Sequence, residues 1–430
     1  MAAPALETIA QSAPSRFGAG ACRPATAADA VAGVSPAVVL EPPDVQMLGE
    51  MLRWANESRL SIVVRGAGTK LTWGKPPARV DAVLSTLKFH SPIDHTAGDL
   101  TASLPAGATL ADVNALLARE GQRLAVDPRF RERATIGGIL AANDSGPWRY
   151  RHGTPRDLVI GMDMTLVDGR STKAGGRVVK NVAGYDLSRL LSGSFGSLAV
   201  ITRAIFKLAP VPPASRTVVA AADGGRPLAD LALEIASSPL TPSAIELQSI
   251  GCRLLVRFET TEKAAEQQAS AAVAICQSRR IDASVMSGDA ESELWRAYHD
   301  DLSASDGVLI RIAILPAQVA DTLDHVERVM VSHNLDCRVA GRAAVGVMYV
   351  RLIAAAANEN AAESLAAAVD HIRRNAWARG GSAVVISSEP PVLGLVDPWG
   401  DVGDALALMQ AVKARFDPNH VLAAGRTPWS

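Results

Sequence analysis

Residues 61–70 have the sequence SIVVRGAGTK, and residues 134–146 have the sequence ATIGGILAANDSG. Each segment places glycines and other small residues where backbone N–H groups can approach an anion closely. The β-branched run before the first glycine predicts a strand that leads into a tight turn. Two such segments, about seventy residues apart, favour a large phosphate-bearing nucleotide held within one domain, and therefore a redox protein.

The first glycine turn, Arg65–Lys70, differs from two common nucleotide-binding loops. In a GxGxxG loop, Leu71 would occupy the third glycine position, and Pro76 and Pro77 would stand where a helix should begin. The turn is not a P-loop, because the later Gly74-Lys75 pair is wrongly spaced and is followed by proline. Two interpretations remain open: a nest of backbone N–H groups that binds a pyrophosphate, or a purely structural turn.

The chain has 430 residues, which predicts two domains of unequal size. Its composition, 48% hydrophobic and 20% charged with a formal net charge of −1, is typical of a globular protein and argues against nucleic acid or an anionic membrane as the main partner. The four cysteines lack the CxxC spacing of iron–sulfur and zinc sites. No apolar run reaches the ~18–20 residues that span a bilayer, so a cytoplasmic location is predicted.

The pattern of elements predicts an α+β fold in four parts. Residues 1–37, rich in Ala, Ser and Pro and poor in acids, are expected to form a disordered leader. Residues 38–212 are the expected nucleotide domain, which ends at a cluster of prolines. Residues 213–390 alternate strand-like and helix-like runs and predict an antiparallel sheet with helices. Residues 391–430 are expected to return to the first domain.

Residues from about 38 to 210 resemble the FAD-binding domain of the vanillyl-alcohol oxidase and para-cresol methylhydroxylase family, through both glycine segments and the strand at residues 198–202. The resemblance implies an FAD-binding domain made of two subdomains, followed by a cap-like second domain. In that family both glycine segments hold the FAD diphosphate, and the strand lends backbone groups to the cofactor. The implied cofactor-binding residues are Arg65, Gly66, Ala67, Gly68, Thr69, Lys70, Pro105, Gly107, Ala134, Thr135, Ile136, Gly137, Gly138, Ala141, Asn143, Ser145, Gly146 and Ile201.

Further stretches resemble the FAD-binding subunit, called the E subunit, of bacterial glycolate oxidase. They are residues 176–186 and 190–198, and residues 416–422 with Gly425-Arg426 near the end of the sequence. The resemblance implies that a complex oxidises glycolate or another D-2-hydroxy acid, with a second, catalytic flavin subunit and an iron–sulfur subunit that takes the electrons onward. It also implies a cytoplasmic protein, or one held at the inner membrane through these partners.

Two departures from related flavoproteins bear on the chemistry. Thr69 stands where some members carry a histidine that attaches FAD covalently, so we expect FAD without a covalent link at that position. The GHxGDGN motif, a metal motif of D-2-hydroxyacid dehydrogenases, is absent from the sequence, and no metal site is predicted. The chain is therefore expected to be an accessory subunit that relays electrons or supports assembly, with a self-sufficient dehydrogenase as the alternative.

Lys180 and Tyr185 are the candidate catalytic residues. Both lie in a polar stretch flanked by glycines, and near a flavin a lysine or a tyrosine can stabilise negative charge or bind a carboxylate. The alternative is that Tyr185 and Asp186 begin and cap the next helix, whose inner face is rich in leucine. Both interpretations remain open, and they do not exclude each other.

Overall fold

The structure is a computed structural model that describes residues 6–177, 185–249, 251–354 and 360–430. The chain forms two compact units. The first unit contains Met1–Ser145, Gly153–Val211 and Asp401–Ser430, and the second contains Gly146–His152 and Pro212–Gly400. Two features of this division were not predicted: a short segment after Ser145 belongs with the second unit, and the return to the first unit begins at Asp401 rather than at residue 391.

The helices and strands are numbered in chain order. The helices within the described ranges are α1 (Leu6–Phe17), α2 (Val45–Glu57), α3 (Leu110–Leu117), α4 (Ile136–Ala142), α5 (Arg149–His152), α6 (Pro155–Leu158), α7 (Leu187–Leu191), α8 (Gly225–Ser237), α9 (Glu262–Ser278), α10 (Gly288–Ser303), α11 (Val319–His333), α12 (Ala361–Ala378), α13 (Pro390–Leu393) and α14 (Ala405–Phe416). The strands within the same ranges are β1 (Cys22–Pro24), β2 (Val38–Leu40), β3 (Ile62–Arg65), β4 (Ala82–Ser85), β5 (Asp94–Thr96), β6 (Thr101–Pro105), β7 (Gln122–Arg123), β8 (Val159–Thr165), β9 (Ser171–Gly175), β10 (Val200–Lys207), β11 (Ala209–Pro210), β12 (Ala214–Ala221), β13 (Ala244–Gln248), β14 (Arg253–Thr260), β15 (Asp282–Met286), β16 (Val308–Ala313), β17 (Leu335–Arg342), β18 (Val347–Ala354) and β19 (Ser382–Ser387).

The first unit contains two larger sheets, each with its own hydrophobic core. One sheet has the order β1-β2-β4-β3, and its β2-β4 and β4-β3 pairs are parallel. The other has the order β5-β6-β10-β8-β9 and is antiparallel throughout. These sheets are the two predicted subdomains. The sequence Pro42-Pro43-Asp44 before apolar residues at helical spacing predicts Asp44 as an N-cap. This prediction is confirmed, since the Asp44 side chain accepts a hydrogen bond from the backbone N–H of Met47 at 2.8 Å.

The prediction of a disordered leader is wrong for residues 6–37. Helix α1 buries Ile9 and Ala13 in the core of the first sheet, and β1 pairs with β2 in antiparallel register. The alanine-rich composition concealed this amphipathic helix, because alanine is both a helix former and a small core residue. The leader also supplies the buried Asp29, which forms an ion pair with Arg65 at 2.8 Å.

The end of the chain is built into the sheet that contains β3. The backbone N–H of Ile62 donates to Val421 O at 2.7 Å, and the N–H of Ala423 donates to Ile62 O at 2.8 Å. A fully buried ion pair closes this segment: Lys413 Nζ lies 2.6 Å from Asp417 Oδ2. The same Nζ donates to the carbonyl oxygens of Ser197 and Leu422, each at 2.8 Å. This segment therefore supports the strand from which the first glycine turn departs.

The second unit is built on an eight-stranded sheet with the order β15-β12-β14-β13-β17-β18-β16-β19, antiparallel at every pairing. Helices α8, α9, α11 and α12 pack their apolar sides on one face of this sheet and form its core. The predicted α+β class, with two subdomains and an antiparallel-sheet second domain, is confirmed. Among the helices of the described residues, none is long and apolar enough to cross a bilayer.

Helix α10 adds a feature that the sequence did not predict, because it packs on the opposite face of the same sheet. In β12, Val218 belongs to the main core, and its neighbour Thr217 therefore faces the other way. Thr217 accepts a hydrogen bond from Trp295 Nε1 at 2.9 Å. Likewise, the hydroxyl of Tyr298 donates to the buried carboxyl of Glu246. This second face therefore carries buried polar groups.

The buried Lys413 predicts a large stability effect in the first unit. Lys413→Met removes the ammonium and leaves the carboxylate of Asp417 buried without its counter-charge, which we expect to lower the free energy of unfolding by about 3–5 kcal/mol. Arg415→Met is the matched control, because Arg415 lies exposed on the same helix, and its effect should stay within about 0.5 kcal/mol. Urea denaturation measures both. Equal stability of the two variants would contradict this account.

Candidate functional site

The first glycine turn follows β3 and offers a row of backbone donors. The five backbone N–H groups of residues 66–70 have no hydrogen-bond acceptor among the described residues. Gly68 has a φ of +76°, which favours glycine at this point of the turn. Consecutive N–H groups in such a turn form an anion-binding nest, because no protein oxygen competes for them. The first of the two sequence interpretations, a nest, fits this geometry.

The second glycine segment lies directly against the first. A Cβ atom added to Gly66 would lie 2.0 Å from Thr135 Oγ1, so only a glycine allows this approach. The backbone N–H groups of Ile136 and Gly137 donate to the carbonyl oxygens of Ala108 and Ala106 at 3.0 and 2.8 Å. They are therefore unavailable to a ligand.

Gly138 adds one donor to the row from the first turn. Its N–H has no acceptor among the described residues, and it lies in the first turn of α4.

An open cleft lies between the two segments. It is continuous with a second cleft, since five residues line both. The residues that line the two clefts are Val64, Arg65, Gly66, Ala67, Gly68, Thr69, Lys70, Leu71, Thr86, Thr135, Gly137, Gly138, Ala141, Ala142, Phe195, Gly196, Ala199, Ile201 and Arg426. All of them belong to the first unit.

Lys70 is a largely buried cation of the cleft wall, with 9% of its side chain exposed. Its Nζ lies 3.5 Å from Asp144 Oδ2 and makes no shorter hydrogen bond within the described ranges. The ring of Trp73 contacts both Lys70 and Arg129, with its centroid 5.5 Å from Lys70 Nζ and 4.1 Å from Arg129 Cζ. Burial lowers the pKa of Lys70, Asp144 raises it and Arg129 lowers it again. An anion in the cleft would favour the charged form.

Two arginines frame the same cleft. Arg65 is held by the carboxylate of Asp29, whose pKa lies well below its usual range because of hydrogen bonds from Arg23 and from Arg65 itself. Arg426 donates to the carbonyl oxygens of Leu71 and Trp73, and burial lowers its pKa to about 10. Together with Lys70, these side chains give the cleft a positive wall.

The structure separates the predicted cofactor residues into two groups. Arg65–Lys70, Thr135, Gly137, Gly138, Ala141 and Ile201 line the clefts. The residues that line neither cleft are Pro105, Gly107, Ala134, Ile136, Asn143, Ser145 and Gly146.

Two residues of the second group support the backbone next to the clefts without lining them. A Cβ on Gly107 would lie 2.2 Å from Thr86 O, and Asn143 Oδ1 accepts from the N–H of Arg156 at 3.2 Å.

The candidate catalytic residues have different outcomes. Tyr185 is 94% exposed, and the carboxylate of Asp186 accepts a hydrogen bond from the N–H of Arg189 at 3.0 Å. The interpretation of Asp186 as the cap of helix α7 is therefore confirmed. Lys180 lies outside the described residues. Across the described ranges, no group of three or more His, Cys, Asp or Glu side chains could hold a metal ion.

Sequence reasoning missed several residues of the site. Asp144 is 4% exposed and pairs with Lys70. It was not predicted, although it lies in the second glycine segment between the predicted contacts Asn143 and Ser145. Phe195 lines both clefts, with a φ of +55° and its N–H bonded to Ala141 O at 2.8 Å. Arg426 lines the cleft, whereas the resemblance at Gly425-Arg426 gave it no role in the site. Its location in the chain, far from both glycine segments, gave no signal that it returns there.

Comparison with protein families gives two matches that follow the two units. Residues 36–175 match the family described as "FAD binding domain", and residues 200–385 match "FAD linked oxidases, C-terminal domain". The solved structure of p-cresol methylhydroxylase with substrate bound has the same fold, with a TM-score of 0.79. The alignment covers 98% of this chain and 96% of the p-cresol methylhydroxylase chain, with 15% sequence identity.

Curated relatives include two glycolate oxidase subunits. Subunit GlcD of Bacillus subtilis is 27% identical over 425 residues, which cover 91% of this chain and 88% of that protein. Subunit GlcE of Escherichia coli is 36% identical over 172 residues, which cover 40% of this chain and 48% of that protein. The chain is thus similar to both subunits, and the predicted assignment to the E subunit is not decided by these matches.

The residues of the cleft fit FAD, the cofactor named by both matching families. The unsatisfied N–H groups of residues 66–70 and of Gly138 suit the oxygens of a diphosphate. The buried Lys70 Nζ has only the distant carboxylate of Asp144, 3.5 Å away, and the buried Oγ1 of Thr135 has no hydrogen-bond partner among the described residues. Unsatisfied buried donors cost free energy unless a ligand pairs with them. A diphosphate in the cleft would satisfy these groups and balance its positive wall.

The contact between the two glycine segments predicts the effect of a single methyl group. Gly66→Ala would push a Cβ into Thr135 Oγ1, so we expect the segments to separate and the FAD affinity to fall about tenfold or more. Gly98→Ala is the matched control, because no atom lies within 4 Å of its added Cβ. FAD titration of each apoprotein measures the effect. Undiminished FAD affinity in Gly66→Ala would contradict the proposed cradle.

The lowered pKa of Lys70 predicts a pH dependence of FAD binding. A diphosphate would raise this pKa, so binding takes up a proton and FAD affinity should fall as pH rises through the pKa of Lys70 in the free protein. This fall should begin below the usual lysine value of about 10.4. Without FAD, the free energy of unfolding should rise over the same window, because the unfolded chain then binds more protons.

Lys70→Met tests the assignment of this pH dependence. The variant should bind FAD about tenfold more weakly near neutral pH and lose the alkaline decline. Lys75→Met, which changes an exposed lysine five residues further on, should retain both the affinity and the decline. Flavin fluorescence titrations between about pH 7 and pH 10 measure these curves. The same alkaline decline in wild type and Lys70→Met would show that another group titrates.

Proposed function

Since this chain is an FAD-linked oxidoreductase, built of an FAD binding domain and the C-terminal domain of FAD linked oxidases, we propose that it is the FAD-binding subunit of a glycolate oxidase complex. In this proposal it takes part in the two-electron oxidation of glycolate or another D-2-hydroxy acid. The electrons then pass to an iron–sulfur partner. The observation that carries the proposal is the cleft between the two glycine segments, with its row of free N–H groups and its positive wall.

Bound FAD supplies the two-electron acceptor for the substrate. The chain's own residues bind and orient it. The N–H groups of residues 66–70 and of Gly138 hold the diphosphate, and Lys70 balances its charge. Arg426 fixes the outer wall by its hydrogen bonds to Leu71 and Trp73. Thr69 offers no imidazole for a covalent bond, so FAD is held non-covalently at this position.

The subunit role rests on the glycolate oxidase relatives and on the sequence. Both relatives are named as subunits, which suggests that this chain also works in an assembly. The sequence lacks the GHxGDGN metal motif, so a second flavin subunit would carry that motif and the substrate chemistry. We propose a cytoplasmic complex, or one held at the inner membrane through its partners.

A second candidate function is a self-sufficient FAD-dependent 2-hydroxyacid dehydrogenase. It is supported by the similarity to GlcD, which spans 91% of this chain and 88% of the relative and therefore includes both domains. A third possibility is an FAD-binding subunit that supports assembly without taking part in electron transfer. These three candidates share the cofactor and differ in where the substrate is oxidised.

Anaerobic mixing with substrate separates the candidates. The purified chain should carry oxidised flavin that glycolate and D-lactate bleach slowly or not at all. Co-expression with the partner subunits of the native complex should produce rapid bleaching. Stopped-flow absorbance of the oxidised flavin follows both reactions.

Each outcome of this experiment favours or contradicts a particular candidate function. Rapid bleaching of the isolated chain would contradict the accessory role and favour the self-sufficient dehydrogenase. A folded protein without affinity for FAD would contradict all three candidates. A complex that remains fully active when this chain carries Lys70→Met and no FAD would favour the assembly role.

A further inference from the structure

The side chain of Arg65 packs against the first glycine turn. A Cβ added to Gly68 would lie 3.5 Å from Cδ of Arg65 and 3.9 Å from its Cγ, so the aliphatic stem of the arginine lies next to the middle of the turn. Arg65 is largely buried, with 11% of its side chain exposed, and it lines the cleft. Its side chain can therefore influence both the conformation of the turn and the charge that an anion in the cleft would meet.

A single carboxylate holds the end of this side chain. Arg65 Nη1 donates to Asp29 Oδ1 at 2.8 Å, and this is the only hydrogen bond of the Arg65 side chain within the described ranges. A guanidinium has five N–H donors, so the bond to Asp29 uses one and leaves the others available to a ligand. The orientation of the guanidinium therefore depends on where Asp29 is held.

The leader fixes Asp29 in place. Asp29 is 2% exposed, and Arg23 donates to both of its carboxylate oxygens, at 2.7 and 2.8 Å. The backbone N–H and the hydroxyl of Thr26 donate to Asp29 Oδ2 at 2.8 and 2.9 Å. Charge-assisted hydrogen bonds of this kind are short and strong. Residues 23–29 thus present a rigid acceptor to Arg65.

This series of contacts lies entirely within the first unit. It runs from residues 23–29 through Asp29 and Arg65 to Gly68, and so reaches the turn that carries the N–H groups of residues 66–70. Asp29 itself lines neither cleft. It also precedes residue 36, at which the match to the FAD binding domain begins.

We propose that Asp29 is a positioning residue for FAD: by holding Arg65 against the glycine turn, it raises the affinity for a cofactor that it does not contact. This inference rests on the proposed function, because it assumes that the turn binds the FAD diphosphate. It makes the leader a working part of the cofactor site. By linkage, FAD should in turn order Asp29 and the residues that hold it.

Asp29→Asn separates position from charge. Asparagine keeps the size of the side chain but loses the charge-assisted bond to Arg65. Removing a negative charge close to the cleft would by itself strengthen the binding of an anion, so a purely electrostatic role predicts a higher FAD affinity. A positioning role predicts the opposite result, a dissociation constant of FAD that rises about tenfold.

Asp81→Asn is the matched control. Asp81 is another buried carboxylate of the first unit; it pairs with Arg79 and accepts a hydrogen bond from the N–H of Ser61 at 2.8 Å. None of these three residues lines either cleft. The FAD affinity of this variant should stay within about twofold of wild type. Urea denaturation checks that both variants are folded under the conditions of the FAD titration.

A double-mutant cycle tests whether Asp29 acts through Arg65. Arg65→Met removes the guanidinium, so adding Asp29→Asn to it should cause no further loss of FAD affinity. Additive losses would overturn the inference, because they would mean that the two residues act independently. Unchanged or higher affinity in Asp29→Asn would also overturn it, and so would equal losses in Asp29→Asn and Asp81→Asn.

Hydrogen–deuterium exchange of the wild type provides a measurement that does not depend on the folding of a variant. Adding FAD should slow the exchange of the backbone amides of Thr26 and Asp29, which donate to Asp29 Oδ2 and to Thr26 O. The amides of helix α1 should not change. Unchanged exchange at Thr26 and Asp29 would contradict the positioning role. A wild-type protein that binds no FAD would instead contradict the proposed function.

Discussion

The site depends on one close approach: Gly66 and Thr135 lie so near each other that a Cβ on the glycine would sit 2.0 Å from the threonine hydroxyl. This contact brings together two segments that are about seventy residues apart in the chain. Beside this contact, the N–H groups of residues 66–70 have no acceptor within the part of the chain that the structure describes. A row of backbone donors without a protein acceptor is available to an anion that occupies the turn.

Much of the rest of the first unit keeps these two segments in register. The leader contributes Asp29, which binds Arg65 at the base of the turn. The end of the chain contributes the Lys413–Asp417 pair and the backbone bonds between residues 421–423 and Ile62. Segments from both ends of the sequence therefore support the same short turn. The anion-binding groups of the site lie in the backbone, and the side chains around them supply position and charge.

The sequence allowed prediction of the local elements that carry their own signals. The strand before the glycines, the N-cap Asp44 and the cap of α7 at Asp186 follow from β-branched runs and from side chains that accept backbone bonds. The α+β class follows from the order of these elements. Long-range pairing has no such local signal, which is why the fold of residues 6–37 and the position of Arg426 in the cleft wall were not predicted. The excursion of Gly146–His152 into the second unit was missed for the same reason.

The central claim is that FAD lies with its diphosphate on the turn at residues 66–70. An experimental structure of the FAD complex tests it most directly. The account predicts diphosphate oxygens within about 3 Å of these backbone N–H groups and of Lys70 Nζ, with no covalent bond from Thr69 to the flavin. A diphosphate bound elsewhere, with the N–H groups of residues 66–70 still facing solvent, would contradict it.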